Sequence, residues 1–290
     1  MVERRLTEQG DNTYLTAGNN AEARSGDLER IREQSHAFNI HTNAFYERLN
    51  SLGLGKKARV LVDFGTGTGG SLPILASYAK HIIATDIEPE KIEAGKRFVK
   101  AEGLNQTTTF DFPLGGIASL NLKSGSVDIV NGRLIWQHLN EEVRSNEMRA
   151  AVLALKPGGL FVAEDMNLHT WNLQPSTETF SWFLRKLIEL YGIKGTEAGM
   201  GPKLRSLCED NGLEVVAEDS YVIESRADDS FKNIHLGIFM AAQAGLINEE
   251  RGVMSAKQFS EGMVQLRKDV LDATRTIYAP QMTQIAARKK

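Results

Sequence analysis

Val60-Leu61-Val62-Asp63-Phe64-Gly65-Thr66-Gly67-Thr68-Gly69-Gly70 is the stretch that decides the fold. Arg59 to Phe64 reads as a short apolar strand, and Leu72 to Ala79 reads as a helix whose first turn tolerates Pro73. Between them, glycines let the backbone approach a ligand with no Cβ in the way. The free amides of the next helix favour a negative group. A nucleotide-like ligand is therefore expected at the carboxyl ends of the strands. The glycines alone leave the ligand open. Gly65, Gly67 and Gly70 satisfy G-x-G-x-x-G, the dinucleotide fingerprint. Asp63 also makes the loop D-x-G-x-G-x-G, and an acid there suits a ligand ammonium, which a dinucleotide does not need. A tight turn without a ligand is the plainest alternative.

Outward from the loop, strands and helices alternate. His81 to Thr85 is a second strand, ending at Asp86, whose carboxylate suits ribose hydroxyls in either ligand class. Pro89 to Glu102 is a helix, Thr107 to Phe112 a third strand, and Val127 to Asn131 a fourth. Asp111 closes the third strand, where a carboxylate can accept from an exocyclic adenine amine, with Phe112 beside the base. A helix over Glu141 to Leu155, a turn at Pro157-Gly158-Gly159 and a fifth strand from Leu160 to Ala163 follow. This alternation predicts a mostly parallel, doubly wound α/β sheet.

On the N-terminal side, residues 1 to 24 read as a polar arm. A helix then starts near Ser25 or Asp27, either of which suits a cap. Ile31, Phe38, Phe45 and Leu49 fall on one of its faces. In the last third, helices are expected over Phe180 to Tyr191, Pro202 to Asn211, Phe231 to Ala244 and Ser255 to Leu271. Leu213 to Glu218 and Ser220 to Ser225 look like strands, and Thr274 to Ala287 holds a final strand of the same sheet. One domain results: an arm and cap helix (1–58), a ligand-binding core (59–169), and cap helices with the final strands (170–290).

Lys plus Arg number 34 against 37 Asp plus Glu, a net charge of -3, which gives no reason to expect a nucleic-acid partner. Cys208 is the single cysteine, so neither an internal disulfide nor a Cys-rich zinc site can form. The first residues are polar and no apolar run is long enough for a bilayer, so a cytoplasmic setting without membrane partners is expected. A homodimer is compatible with all of this.

The ordered pieces VLVDFGTGTGG, HIIATD, TTTFDF, VDIVNGRLIWQHL and LKPGGLFVAED, spanning Val60 to Asn167, resemble the class I S-adenosylmethionine-dependent methyltransferases. Asn12 to Leu15 and Leu28 to Gln34 are similar to the N-terminal cap of the small-molecule branch. The resemblance implies a Rossmann-like seven-stranded sheet with an antiparallel last strand and a helical cap. It also implies S-adenosylmethionine as cofactor and a small-molecule acceptor. Gly65, Thr66, Gly67 and Gly69 would pass the methionine portion, with Asp63 toward its ammonium. Asp86 would take the ribose hydroxyls, with Ile87, Asp111 and Phe112 at the adenine. Asn131 and Gly132 would offer carbonyls to the ammonium, with Arg133 near the carboxylate. Tyr14 and Gln34 would close the pocket. The family pattern is departed from in the long connection between Asp111 and Asp128, which contains Gly115-Gly116.

Methyl transfer must align donor and acceptor, exclude water and often remove a proton. His138, just beyond the fourth strand, is the candidate base, or else it orients the loop or the substrate. Asn167, His169 and Trp171, beyond the fifth strand, are candidates for holding the acceptor. Glu164 and Asp165 stand beside them. Oxygen ligands so close in sequence are weak evidence of a metal, and none is expected. Trp182, like Trp171, suits an apolar acceptor pocket or a helix core. His41 and His235 are cap residues, and Cys208 reads as a buried helix residue. Three alternatives stay open: a fold that keeps the cofactor but catalyses a cyclisation or rearrangement, a cofactor-binding protein without transfer, and an NAD-dependent oxidoreductase.

Overall fold

The computed structural model describes residues 21–54, 58–225, 229–248, 250 and 252–290. The arm expected over residues 1–20 lies outside them. The chain begins with helix α1 (Ala21–Ser51), then runs β1 (Ala58–Phe64), α2 (Leu72–Tyr78), β2 (Ala79–Thr85) and α3 (Pro89–Ala101). β3 (Thr109–Asp111), β4 (Val127–Arg133), α4 (Glu141–Ala154) and β5 (Leu155–Asn167) complete the alternating half. The remainder is β6 (Asn172–Gln174), α5 (Glu178–Ile193), α6 (Met200–Asp210), β7 (Leu213–Tyr221) and β8 (Glu224–Ser225). It continues through α7 (Asp229–Ala241), α8 (Gln243–Leu246), α9 (Ala256–Leu271), β9 (Thr276–Tyr278) and β10 (Gln281–Lys289).

The large sheet has the order β3-β2-β1-β4-β5-β10-β7. β10 runs antiparallel to both neighbours, and the pairs from β3 to β5 are parallel. This is the Rossmann-like architecture with an antiparallel last strand. The strand order reverses between β1 and β4, so the crevice above their carboxyl ends is where such sheets bind ligands. Local chemistry agrees with the element boundaries. Proline opens α2 and α3, where the missing N–H has no helical partner. The side chains of Asn140, Thr177 and Ser255 cap α4, α5 and α9 by accepting amide hydrogen bonds.

Three apolar cores hold the molecule. One lies between the sheet and α2, α3 and the C-terminal half of α1, around Tyr46, Leu49 and Leu75. The second packs α4 and α6 on the opposite face, around Met148, Phe161 and Leu204. The third joins α5, α7 and α9 to Phe38 of α1 and builds the cap. The stripe expected on α1 is thus shared: Phe45 and Leu49 bury on the sheet, and Phe38 buries in the cap.

Several boundaries differ from the sequence reading. α1 starts before Ser25 and Asp27, so neither is its cap; Asp27 instead pairs with Arg30 one turn on, at 2.7 Å. Pro157-Gly158-Gly159 does not precede the fifth strand but bulges from within it. Leu155 stands opposite Val127 and Leu160 opposite Ile129, and Gly158 takes φ +78° in the extra residues. β7 continues to Tyr221, past the break expected at Asp219, and the second expected strand is reduced to β8. The Thr274 to Ala287 segment divides into β9 and β10. β9 sits between β6 and β8 in a second, three-stranded sheet that the sequence did not announce.

Candidate active site

A cavity of about 720 Å³ opens above β1 and β4, between the glycine loop and the cap. Its lower end is polar. Gly65 takes φ +68°, and a Cβ there would fall 2.7 Å from the side chain of Ile135, so only glycine fits this turn. The Thr66 amide donates to the Thr85 carbonyl at 2.9 Å, which ties the loop to the end of β2. Asp86, buried at that strand end, accepts from the amides of Gly67 (3.0 Å) and Glu88 (3.1 Å). Its carboxylate is thereby fixed at the wall, with lone pairs to spare for ligand hydroxyls.

Asp63 is buried on the same wall and accepts from Asn131 Nδ2 (2.7 Å) and Ser71 Oγ (3.2 Å). Burial raises its pKa, while the Asn131, Thr66, Arg133 and Ser71 groups oppose that rise. Helix α1 braces this end. Tyr46 donates to Asn131 Oδ1 at 2.8 Å, Asn39 donates to the Gly70 carbonyl at 2.9 Å, and Arg133 donates to Asn39 Oδ1 and Thr42 Oγ1. The hydroxyls of Thr42 and Tyr221 converge on Glu164. Glu164 therefore ties α1 to the sheet and does not line the cavity.

The upper end is apolar. Leu134, Ile135, Met166, Leu168, Leu187 and Ile238 line it, and His138 and Tyr191 face each other there with ring centroids 6.0 Å apart. Leu134 takes φ +56°, a left-handed conformation that strains a non-glycine residue by about 1 kcal/mol. Its amide is held by the Glu164 carbonyl at 2.8 Å. The next turn, Trp136 to His138, is anchored by Asp165, which is fully buried and accepts from the Gln137 amide at 3.1 Å. Burial pushes the Asp165 carboxyl up to about 7. Burial, with Lys91, Lys194 and Arg30 beyond it, drives the His138 pKa down, so its ring is neutral at neutral pH.

The family model described as "Methyltransferase domain" matches residues 62–163, which carry the loop, Asp86 and the anchored turn. Over that third of the chain, the sequence is similar to methyltransferase domains. Solved structures share the fold at low identity. The YcgJ protein of Bacillus subtilis is 16% identical with a TM-score of 0.55, over 86% of this chain and 99% of that one. An S-adenosylmethionine-dependent methyltransferase of Methanosarcina mazei is 16% identical with a TM-score of 0.51, over 81% and 93%. The [4+2]-cyclase SpnF is 16% identical with a TM-score of 0.52, over 85% and 81%.

Within this fold, the cavity wall includes Gln34, Asp63, Gly65, Thr66 and Gly67. It also includes Asp86, Ile87, Arg133 and His138. Tyr14 lies outside the described residues. Other expected site residues sit elsewhere. Asp111 is exposed and pairs with His81 Nε2 at 3.1 Å, on the outside of the sheet edge. Phe112 stacks on Phe110 and packs against Gly95 of α3. The long connection explains both: the chain passes β3, bridges Asp86 at Leu114, and builds the wall from Leu114, Gly115, Gly116, Ala118 and Ser119.

Gly69 makes the turn that packs on Leu72 and Gly95 and is not on the wall. Asn131 and Gly132 stand in β4 opposite Asp63 and Phe64 of β1. The Asn131 side chain is spent on Asp63 and Tyr46, and Gly132 packs against Trp136. Beyond β5, Asn167 caps the turn Leu168–Thr170 by accepting from the His169 amide, and His169 is exposed. Trp171 is buried in the cap core, stacked on Phe239 at 4.8 Å. Cys208 is buried on α6 and its thiol is pushed up to about 12, as suits a core residue. Sequence reasoning missed Leu134, Leu187, Ile238 and Glu147, and read Tyr191 only as part of an aromatic stripe near that edge. Among the missed residues, only the placement of Leu134 within a recognised motif offered a signal.

Proposed function

We propose that the chain transfers the methyl group of S-adenosylmethionine to an oxygen, nitrogen or carbon atom of a metabolite-sized, largely apolar acceptor (EC 2.1.1.-). The observation that carries this reading is one continuous cavity, polar and carboxylate-bearing at the glycine loop and apolar under the cap. Its total volume suits a nucleoside-bearing donor with a small second molecule. A nucleic acid or a membrane is not called for by such an enclosed chamber.

The residues fit the donor. Gly65 leaves room that a Cβ would fill, Asp86 presents its carboxylate to ribose hydroxyls, and Ile87 offers an apolar edge to the base. Asp63, buried with a raised pKa, gains from a cationic partner, and the ammonium of the donor supplies one. Arg133 stands beside it for the carboxylate. When bound, the donor supplies an electrophilic methyl on a sulfonium centre. The chain's own part is alignment and exclusion of water: α1 and the cap close over the cavity, and the strained turn at Leu134 aims His138 into the acceptor chamber. His138, kept neutral, hydrogen-bonds the acceptor's polar atom and becomes a proton acceptor only when charge develops there.

A second reading follows from that weak basicity. A chamber whose imidazole resists protonation also suits a cyclisation or rearrangement with the donor as an electrostatic element, the type of reaction named for SpnF. Methyl-labelled S-adenosylmethionine incubated with a panel of apolar metabolite-sized acceptors separates the two. The proposal expects label in a product heavier by one methylene. An unlabelled, isomeric product formed only in the presence of the donor would favour the second reading.

A further inference from the structure

The wall beside Asp86 and Ile87 is built from Leu114, Gly115, Gly116, Ala118 and Ser119, and this segment has no acidic side chain of its own. The acid at the end of β3, Asp111, is turned outward to His81. Among the described residues, three carboxylates line the cavity: Asp63, Asp86 and Glu147. The first two face the loop, and the proposed function uses both. Glu147 comes from the middle of α4 and is 8% exposed. Its Oε2 accepts from the Ala118 amide at 3.0 Å, and its Oε1 lies over Gly116, in space that any Cβ at Gly116 would occupy.

We propose that Glu147, reaching through the gap at Gly116, is the acceptor for the exocyclic amine of the donor's adenine, in the place that β3 leaves without an acid. This rests on the reading of the cavity as an S-adenosylmethionine site. The geometry has a physical motive. A carboxylate buried at a cavity wall with only backbone donors is incompletely compensated, and a ligand N–H that points at it contributes more than the same bond in water. The carboxylate is also held in one orientation by the amides of the turn, so no side-chain freedom is lost on binding. Burial raises the Glu147 pKa, and the Ala118 and Ile117 amides oppose that rise.

The test is calorimetric and compares S-adenosylhomocysteine with its deaminated counterpart, in which the adenine amine is replaced by a carbonyl. The full chain should prefer the amine form by at least about tenfold, because the carbonyl would face a carboxylate. In Glu147→Gln the amide oxygen still accepts from Ala118 and its NH2 can donate to the carbonyl, so the preference should fall below about threefold. Equal loss of both ligands in the variant, with the preference kept, would reduce Glu147 to a brace for the turn and overturn the proposal. No preference in the unaltered chain would overturn it whether or not the variant folds. If neither ligand binds the unaltered chain, the cofactor reading itself fails, and this proposal with it.

Discussion

The two ends of the cavity are built by different means. The donor end is made of strand termini and one loop, within a stretch of chain that pairs β1 with β2 and β4. Its polar groups are fixed by short hydrogen bonds to backbone and to α1. The acceptor end is made of side chains from four distant elements: the turn after β4, the end of β5, α5 and α7. It has almost no polar fixing, and its shape depends on how the cap helices pack. One end is specified by backbone, the other by packing. On the proposed function, chemistry common to many acceptors would sit on the rigid part, and selectivity on the part that a few side chains can reshape.

The largest expected effect breaks the donor end alone. Asp86→Ala removes a carboxylate placed for two charge-assisted hydrogen bonds of roughly 1.5–3 kcal/mol each, so affinity for S-adenosylhomocysteine should fall about a hundredfold with the fold intact. Asp111→Asn, by contrast, should change that affinity by less than about twofold. Titration of both variants checks the pair, and equal losses would restore Asp111 to the site.

A cap substitution probes the other region through pH. His235 is buried among Trp171, Phe231 and Phe239, and among the described residues neither ring nitrogen has a hydrogen-bond partner. Burial pushes its pKa down to about 3. The unfolded chain binds a proton near pH 6.5 and the folded chain does not. The stability is therefore full above that pH and is lost as pH falls toward 3. At pH 5 the loss is about 2 kcal/mol. His138 is lowered to about 3 as well, so His235→Phe should lessen the drop between pH 7.5 and pH 5 in urea unfolding by about 2 kcal/mol and leave the part due to His138. An unchanged drop would place the acid sensitivity elsewhere.

The smallest effect on binding should come from filling the acceptor chamber. Ile238→Trp should leave donor affinity within about twofold while slowing methyl transfer at least about tenfold, since misplacement of the acceptor affects only the reaction. Donor affinity that falls in parallel would show that the two ends are not separable.

The same division decides what could be read from the chain. The glycine loop, Asp86 and the alternation of β1 to β5 were legible because each is a local pattern with a local cause: positive φ at Gly65, a strand end, a period of burial. Asp111 misled because a strand-end acid is a local signal, whereas its direction is set by His81 on the next strand and by the long connection after it. Glu147 gave no signal, since one glutamate on a helix resembles any solvent-facing one until Gly116 is packed against it. Trp171 was placed near the right edge of the sheet, but stacking on Phe239 of α7, far along the chain, turns it into the cap core. Asn167 and His169 went the same way, into a cap and onto the surface.

The central claim is that the polar end is a site for S-adenosylmethionine and not for a dinucleotide. Isothermal titration of the unaltered chain with S-adenosylhomocysteine and, separately, with NAD tests it most directly. The account predicts one saturable site for S-adenosylhomocysteine and no heat with NAD. Saturable binding of NAD with no response to S-adenosylhomocysteine would contradict it.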